Sequence, residues 1–180
     1  KAELRLALCH FLAVLGQWPR ALDQARQART LDVSLTPAAS SCETALRGEQ
    51  EREAVWQGRA TPALLGGPPP EWTELLIRAA ALSGNDAGSS DEAAELRARA
   101  LELAPAQPGT ATVFGPEAPA EEDMEPTETL TFSWAADGDA RLGPVLELFT
   151  AQGYRWLPMT ALRHVVFTRP RHLVDLLGRE

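Results

Sequence analysis

Residues 15–22 have the sequence Leu-Gly-Gln-Trp-Pro-Arg-Ala-Leu, and this stretch decides the fold predicted for the first half of the chain. Gly16 is expected to end one helix, because glycine adopts the left-handed conformation that follows many helix C-termini. Pro19 suits the first turn of a second helix, where its missing N–H is not needed. The upstream apolar residues follow the i, i+3, i+4 and i+7 spacing of one helical face: Leu4, Leu8, Phe11, Leu12 and Leu15.

The same helix–turn–helix pattern recurs 72 residues further along the chain. Ala93 and Ala100 stand there where Ala21 and Ala28 stand in the first unit. Alanine at these positions lets two antiparallel helices approach closely, because larger side chains would hold them apart. A spacing of about two 34-residue periods is typical of tetratricopeptide repeats. The pattern therefore predicts a tetratricopeptide-like helical-repeat domain over residues 1–105.

The middle of the chain is predicted to contain further helix and then a linker. Residues 38–57 are expected to form a helix, and residues 61–70 a loop rich in glycine and proline. Residues 104–128 hold five prolines, six acidic residues and no basic residue. Such segments bury too little apolar surface to fold on their own. We therefore predict that residues 106–127 form an acidic, proline-rich linker without regular structure.

Residues 128–180 change to the alternating apolar pattern that is typical of strands. Four strands are predicted, followed by a short helix at residues 172–177. The strands are expected at residues 130–134, 145–149, 154–157 and 162–167. Their close succession predicts a small antiparallel β domain, whose remaining strands we expect beyond residue 180. The predicted fold class is therefore α+β, with the helical repeats first and the β domain second.

The composition excludes several classes of partner. The formal net charge is -8, which argues against nucleic acid, because phosphate binding needs clustered Lys and Arg. It also argues against adhesion to an anionic membrane. No apolar run reaches the roughly 18 residues of a membrane span. Cys9 and Cys42 are too few for a disulfide framework and fit a reducing cytoplasm.

Three stretches of the sequence match the pattern of one known family. The first is residues 15–22. The second comprises Arg47, Glu49, Arg52, Val55, Gly58, Pro62 and Trp72. The third and most specific is residues 132–147, Phe-Ser-Trp-Ala-Ala-Asp-Gly-Asp-Ala-Arg-Leu-Gly-Pro-Val-Leu-Glu, followed by Tyr-Arg-Trp-Leu-Pro at residues 154–158. Together these stretches resemble the ImpE family, also called SciE-type or TagJ-like proteins.

The resemblance implies a cytoplasmic, non-catalytic accessory protein of the bacterial type VI secretion apparatus. Members of the family are associated with the N-terminal helix of the small sheath subunit and with the ClpV unfoldase that recycles the sheath. The resemblance implies no cofactor. On this reading the helical repeats form a groove for an amphipathic helix, with Arg5 and Phe11 as groove residues. A generic helical-repeat binding module or co-chaperone is the alternative.

Eight residues are candidates for the family motif or for a partner surface: Trp18, Arg20, Trp134, Asp137, Asp139, Arg141, Tyr154 and Trp156. The two aspartates could also serve acid–base chemistry in a small hydrolase, or bind a metal ion. The favoured interpretation is structural. Asp side chains commonly stabilise turns by hydrogen bonds to nearby backbone N–H groups, and the Arg141 guanidinium can donate two hydrogen bonds to one carboxylate. Cys9 is predicted to be a core residue, since its neighbour His10 points to another helical face.

Overall fold

Five α-helices and five short strands make up the part of the chain that the computed structural model describes, residues 1–83, 89–113 and 128–166. The helices are α1 (Ala2–Val14), α2 (Trp18–Leu31), α3 (Thr36–Trp56), α4 (Glu71–Ser83) and α5 (Ser89–Leu103). The strands are β1 (Ala63–Leu64), β2 (Gly109–Val113), β3 (Glu128–Phe132), β4 (Val145–Thr150) and β5 (Gly153–Pro158). Short 3-10 turns occupy Val33–Leu35 and Met159–Ala161. This mixture of helices and small sheets confirms the predicted α+β class.

The first two helices form a hairpin around the turn that the sequence predicts. Gly16 has a φ of +69°, and a Cβ there would meet no atom within 4 Å, so backbone conformation alone favours glycine. Pro19 lies in the first turn of α2. Ala21, Ala25 and Ala28 are fully buried, as expected for close helix contacts. Ala21 and Ala25 belong to the same core cluster as the small face of α1, which is formed by Cys9, Leu12 and Ala13.

A second helical hairpin, α4 and α5, lies further along the chain. Ala93 and Ala100 are fully buried, as are Ala21 and Ala28, their counterparts in the predicted repeat. The similarity fails elsewhere, because Leu31 of α2 is 59% exposed where the repeat pattern predicts an inward side chain. The tetratricopeptide assignment therefore stays a prediction.

The long helix α3 connects the first hairpin with the sheet. Its first half contributes Ala39, Cys42 and Leu46 to a core with α1 and α2. At Gly48 an added Cβ would lie 2.5 Å from the ring of Phe149, so glycine lets β4 pack directly on the helix. The second core combines Val55 of α3 with side chains of α4, α5, β4 and β5. This core spans both sides of the predicted boundary at residue 105, and the division into residues 1–105, 106–127 and 128–180 remains a prediction.

The main sheet has the strand order β1-β5-β4. β4 and β5 pair antiparallel, with Glu147 opposite Trp156. β1 pairs parallel with β5, with Ala63 opposite Arg155. The prediction of a purely antiparallel sheet was wrong, because the loop between α3 and α4 supplies this third strand. Two residues in a loop rich in glycine and proline carry no strand periodicity that a sequence pattern could detect.

Part of the predicted linker is a strand. β2 pairs antiparallel with β3, with Ala111 opposite Leu130. The prediction that residues 106–127 lack regular structure was therefore wrong for Gly109–Val113, and residues 114–127 lie outside the described part. The prediction rested on the proline content of the whole segment. Thr110 and Thr112 favour β-structure locally, and the composition of the segment does not show this.

The fourth predicted strand, at residues 162–167, does not form within its described residues. Pro158 ends β5, and the 3-10 turn Met159–Ala161 follows it directly. Residues 162–166 have no regular structure. Residue 167 and the helix predicted at residues 172–177 lie outside the described residues. None of the described helices has both the length and the apolarity that crossing a bilayer requires.

Candidate functional site

The turn between β3 and β4 holds the two candidate aspartates in backbone hydrogen bonds. Asp137 Oδ1 accepts from the N–H of Asp139 at 2.8 Å, and Asp139 Oδ1 accepts from the N–H of Arg141 at 2.9 Å. The Arg141 guanidinium also donates to both Asp139 oxygens, from Nε at 3.0 and 2.9 Å. Hydrogen bonding by the Arg141 side chain lowers the pKa of Asp139. Both carboxylates therefore close a turn, which is the structural interpretation that the sequence favoured.

Within the described residues, no three His, Cys, Asp or Glu side chains come together as a metal-binding group. The turn itself is held against α3 by Arg141. The Arg141 guanidinium lies 4.3 Å from the centre of the Trp56 ring. Such cation–π contacts stabilise by about 0.5–1 kcal/mol at exposed sites. Arg141 therefore fastens the turn to α3.

Glu147 of β4 is the centre of a polar network that also joins the sheet to α3. Its carboxylate accepts from Arg52 Nε at 3.2 Å to each oxygen and from Trp56 Nε1 at 3.1 Å. The Tyr154 hydroxyl donates to the same carboxylate. The Glu147 side chain is only 16% exposed. We call Arg52, Trp56, Glu147, Tyr154 and Trp156 the Glu147 network.

Tyr154 and Trp156 are interior members of the Glu147 network. The Trp156 indole Nε1 donates to the Tyr154 hydroxyl oxygen at 2.6 Å. Trp156 is fully buried and Tyr154 is 2% exposed. Burial, together with the Glu147 carboxylate, raises the pKa of Tyr154 well above its usual range. The phenol is therefore protonated at ordinary pH and acts as a donor. These two side chains form core, not an exposed partner surface.

The other candidates lie apart from the Glu147 network. Trp18 is half-buried against the first core. Arg20 is exposed and donates to Gln17 within the same hairpin. Trp134 is 47% exposed and lies two residues after β3. The eight candidates therefore do not form one surface: the turn and the network meet at Trp56, while Trp18 and Arg20 belong to the first hairpin.

An exposed row of large apolar side chains runs along α1. The exposed fractions are 74% for Leu4, 43% for Leu8, 63% for Phe11 and 68% for Leu15. We call these four residues the α1 row. The sequence placed these residues on one apolar face together with Leu12, but Leu12 is only 5% exposed and belongs to the core. Both faces of α1 are apolar, and α2 accepts only the one with smaller side chains, so periodicity alone could not identify the buried face.

The sequence did not predict the role of α3 in joining the two halves of the fold. Arg52 was noted only as part of the family pattern, and Trp56 only lies within the helix predicted at residues 38–57. Their common partner, Glu147, is 91 residues or more away in the chain. No local pattern pairs residues at such separations.

Comparison with known proteins supports the family resemblance that the sequence predicts. Residues 130–180 match the family model described as ImpE protein. The match includes the Asp137–Arg141 turn and both network strands. Together with the sequence relationship below, which extends over almost the whole chain, this match confirms the predicted resemblance to the ImpE family.

One curated relative is the type VI secretion system accessory component TagJ of Pseudomonas aeruginosa. It is 40% identical over 176 residues, which is 98% of this chain and 56% of TagJ. The crystal structure of protein VPA1032 from Vibrio parahaemolyticus is also similar, with a TM-score of 0.68 and 26% identity. That similarity covers 88% of this chain and 53% of the Vibrio chain. The chain thus spans about half the length of the relatives it matches.

Proposed function

We propose that this protein is a non-catalytic, protein-binding accessory component of a type VI secretion system. The observation that carries the proposal is the α1 row. Apolar patches of this kind on a protein surface mark sites of protein–protein or ligand contact. The relative TagJ, by its name an accessory component of type VI secretion, supports the same class of function.

The proposed partner is the N-terminal helix of the small sheath subunit, as the ImpE resemblance implies. Leu4, Leu8, Phe11 and Leu15 recur at intervals of four, three and four residues. This spacing suits helix recognition, because an amphipathic partner helix presents anchors at the same intervals. In this proposal the tetratricopeptide-like hairpins act as the scaffold that presents α1. The protein would work in the cytoplasm, in connection with ClpV-driven recycling of the sheath.

Two features of the site support a binding role over a hydrolytic one. Asp137 and Asp139 already accept backbone hydrogen bonds in the turn. Arg141 is engaged both by Asp139 and by the Trp56 ring. A hydrolase using these residues would have to break the contacts that hold the turn on α3. A scaffold needs those contacts to remain intact.

A pull-down with the N-terminal helix of the small sheath subunit tests the proposal. The unmodified chain should be retained on the immobilised helix, and Phe11→Asp should abolish retention because a charge would be desolvated in the contact. Leu130→Asp is the matched control, since Leu130 is 50% exposed but lies in β3. No retention of the unmodified chain would reject the partner. Retention that survives Phe11→Asp would reject the α1 row as the binding surface.

A further inference from the structure

The first core contains a pair of thiols with a histidine beside it. Cys9 of α1 and Cys42 of α3 are both free and each is 1% exposed. Both belong to the same core cluster, and their thiols interact. His10 Nε2 lies 3.1 Å from Cys42 Sγ. The Cys9–Cys42 pair therefore brings together two sulfur atoms from different helices and a group that can accept a proton.

The surroundings give the two sulfur atoms different roles. The hydrogen bond from Cys42 lowers the pKa of Cys9, although burial opposes this effect. The same bond and burial raise the pKa of Cys42. The nearby charge of Glu43 acts against a thiolate at either position. That effect is moderated, because Glu43 is paired with Arg29 at 3.3 Å and with Arg47 at 3.6 Å. Cys9 is thus the thiol that ionises more readily, while Cys42 is the thiol that lies beside His10.

We propose that Cys9 and Cys42 form an oxidation-sensitive pair that hydrogen peroxide converts into a disulfide joining α1 to α3. The Cys9 thiolate attacks one peroxide oxygen, the O–O bond breaks, and the departing hydroxide takes up a proton to become water. Cys9 is then a sulfenic acid. Cys42 attacks this sulfur, its proton passes to His10, and the S–O bond breaks. The departing hydroxide takes that proton from His10 and leaves as a second water. Two thiols are oxidised and one peroxide is reduced to two waters.

Access to the buried pair depends on movement of α1. The helix covers the thiols with its small face, formed by Cys9, Leu12 and Ala13, while the α1 row on its other side is exposed. Local opening of a segment with one uncovered face costs less than global unfolding. Hydrogen peroxide is small enough to react during such openings. The resulting link would tether α1 to α3 and leave the α1 row outside, so this inference does not depend on the proposed function.

Intact-mass analysis of the reduced full chain treated with hydrogen peroxide tests the proposal. The mass should fall by two hydrogen atoms, and peptide mapping should find residues 9 and 42 in one cross-linked peptide. The melting temperature should rise, because the link constrains the unfolded chain. Cys9→Ala and Cys42→Ala should show neither the mass loss nor the stabilisation. Their unoxidised melting curves establish that each variant folds.

The role of His10 as proton acceptor is tested separately in the same experiment. If it accepts the Cys42 proton, His10→Gln should slow the second step, so that sulfenic acid at Cys9 accumulates and reacts with a 1,3-diketone probe. A purely structural role of His10 would not produce this accumulation. Two thiols that remain titratable after peroxide treatment would overturn the proposal. So would oxidation to separate sulfinic or sulfonic acids, or disulfides formed only between molecules.

Discussion

Replacement of Glu147 should weaken the packing of the sheet on α3 and so lower the free energy of unfolding. Glu147→Ala removes the acceptor for Arg52, for Trp56 Nε1 and for the Tyr154 hydroxyl. Losing the partner of a buried charged group costs about 3–5 kcal/mol. Arg52 is 23% exposed, so water will replace part of the lost interaction. We therefore expect a loss of about 2–4 kcal/mol in the free energy of unfolding. Glu147→Gln keeps an oxygen acceptor and should lose about half as much.

Urea unfolding followed by tryptophan fluorescence measures this loss, with the slope against urea concentration unchanged if the native state keeps its compactness. Glu102→Gln is the matched control, because Glu102 forms a 3.0 Å ion pair with Arg99 but is 66% exposed. Exposed pairs of this kind contribute about 0–1 kcal/mol. A loss for Glu147→Ala no larger than that for Glu102→Gln would show that the Glu147 network does not hold the sheet on α3.

Three further predictions concern stability. Tyr154→Phe should cost about 1–3 kcal/mol in urea unfolding, because the buried Trp156 N–H loses its acceptor; an unchanged midpoint would contradict this. Ala28→Trp should cost about 1–3 kcal/mol by overpacking a fully buried position, and an unchanged melting temperature would refute the helix contact. The lowered pKa of Asp139 beside Arg141 makes a stability contribution that is fully present above about pH 4 and lost as pH falls through the folded-state pKa. Asp139→Asn should therefore flatten the acid limb of a stability–pH curve, and an identical limb would argue against this linkage.

Local sequence signals predicted the elements whose causes are local. The turn at Gly16, the start of α2 at Pro19 and the burial of Ala21 and Ala28 follow from backbone conformation and side-chain size. β4 and β5 follow from alternation between turn residues. The Asp139–Arg141 turn follows from the short reach of an aspartate to its own backbone.

Elements that depend on distant partners were not predicted. β1 is a strand only because the edge of β5 lies beside it, since Ala63 and Leu64 carry no pattern of their own. The Glu147 network joins residues from α3, β4 and β5 that no spacing rule connects. The periodicity did not show that the α1 row is exposed, because two apolar faces on one helix give the same spacing and only the packing of α2 decides between them.

Calorimetric titration of the full chain with a synthetic N-terminal helix of the small sheath subunit tests the central claim most directly. A single short helix buries a modest area, so we expect a dissociation constant on the order of micromolar. Apolar anchors on the α1 row should make the affinity nearly independent of salt, because screening acts mainly on exposed charges. Micromolar binding that persists at high salt and disappears in Phe11→Asp is the predicted result. No detectable heat at high micromolar peptide, with the chain shown to be folded, would contradict the account.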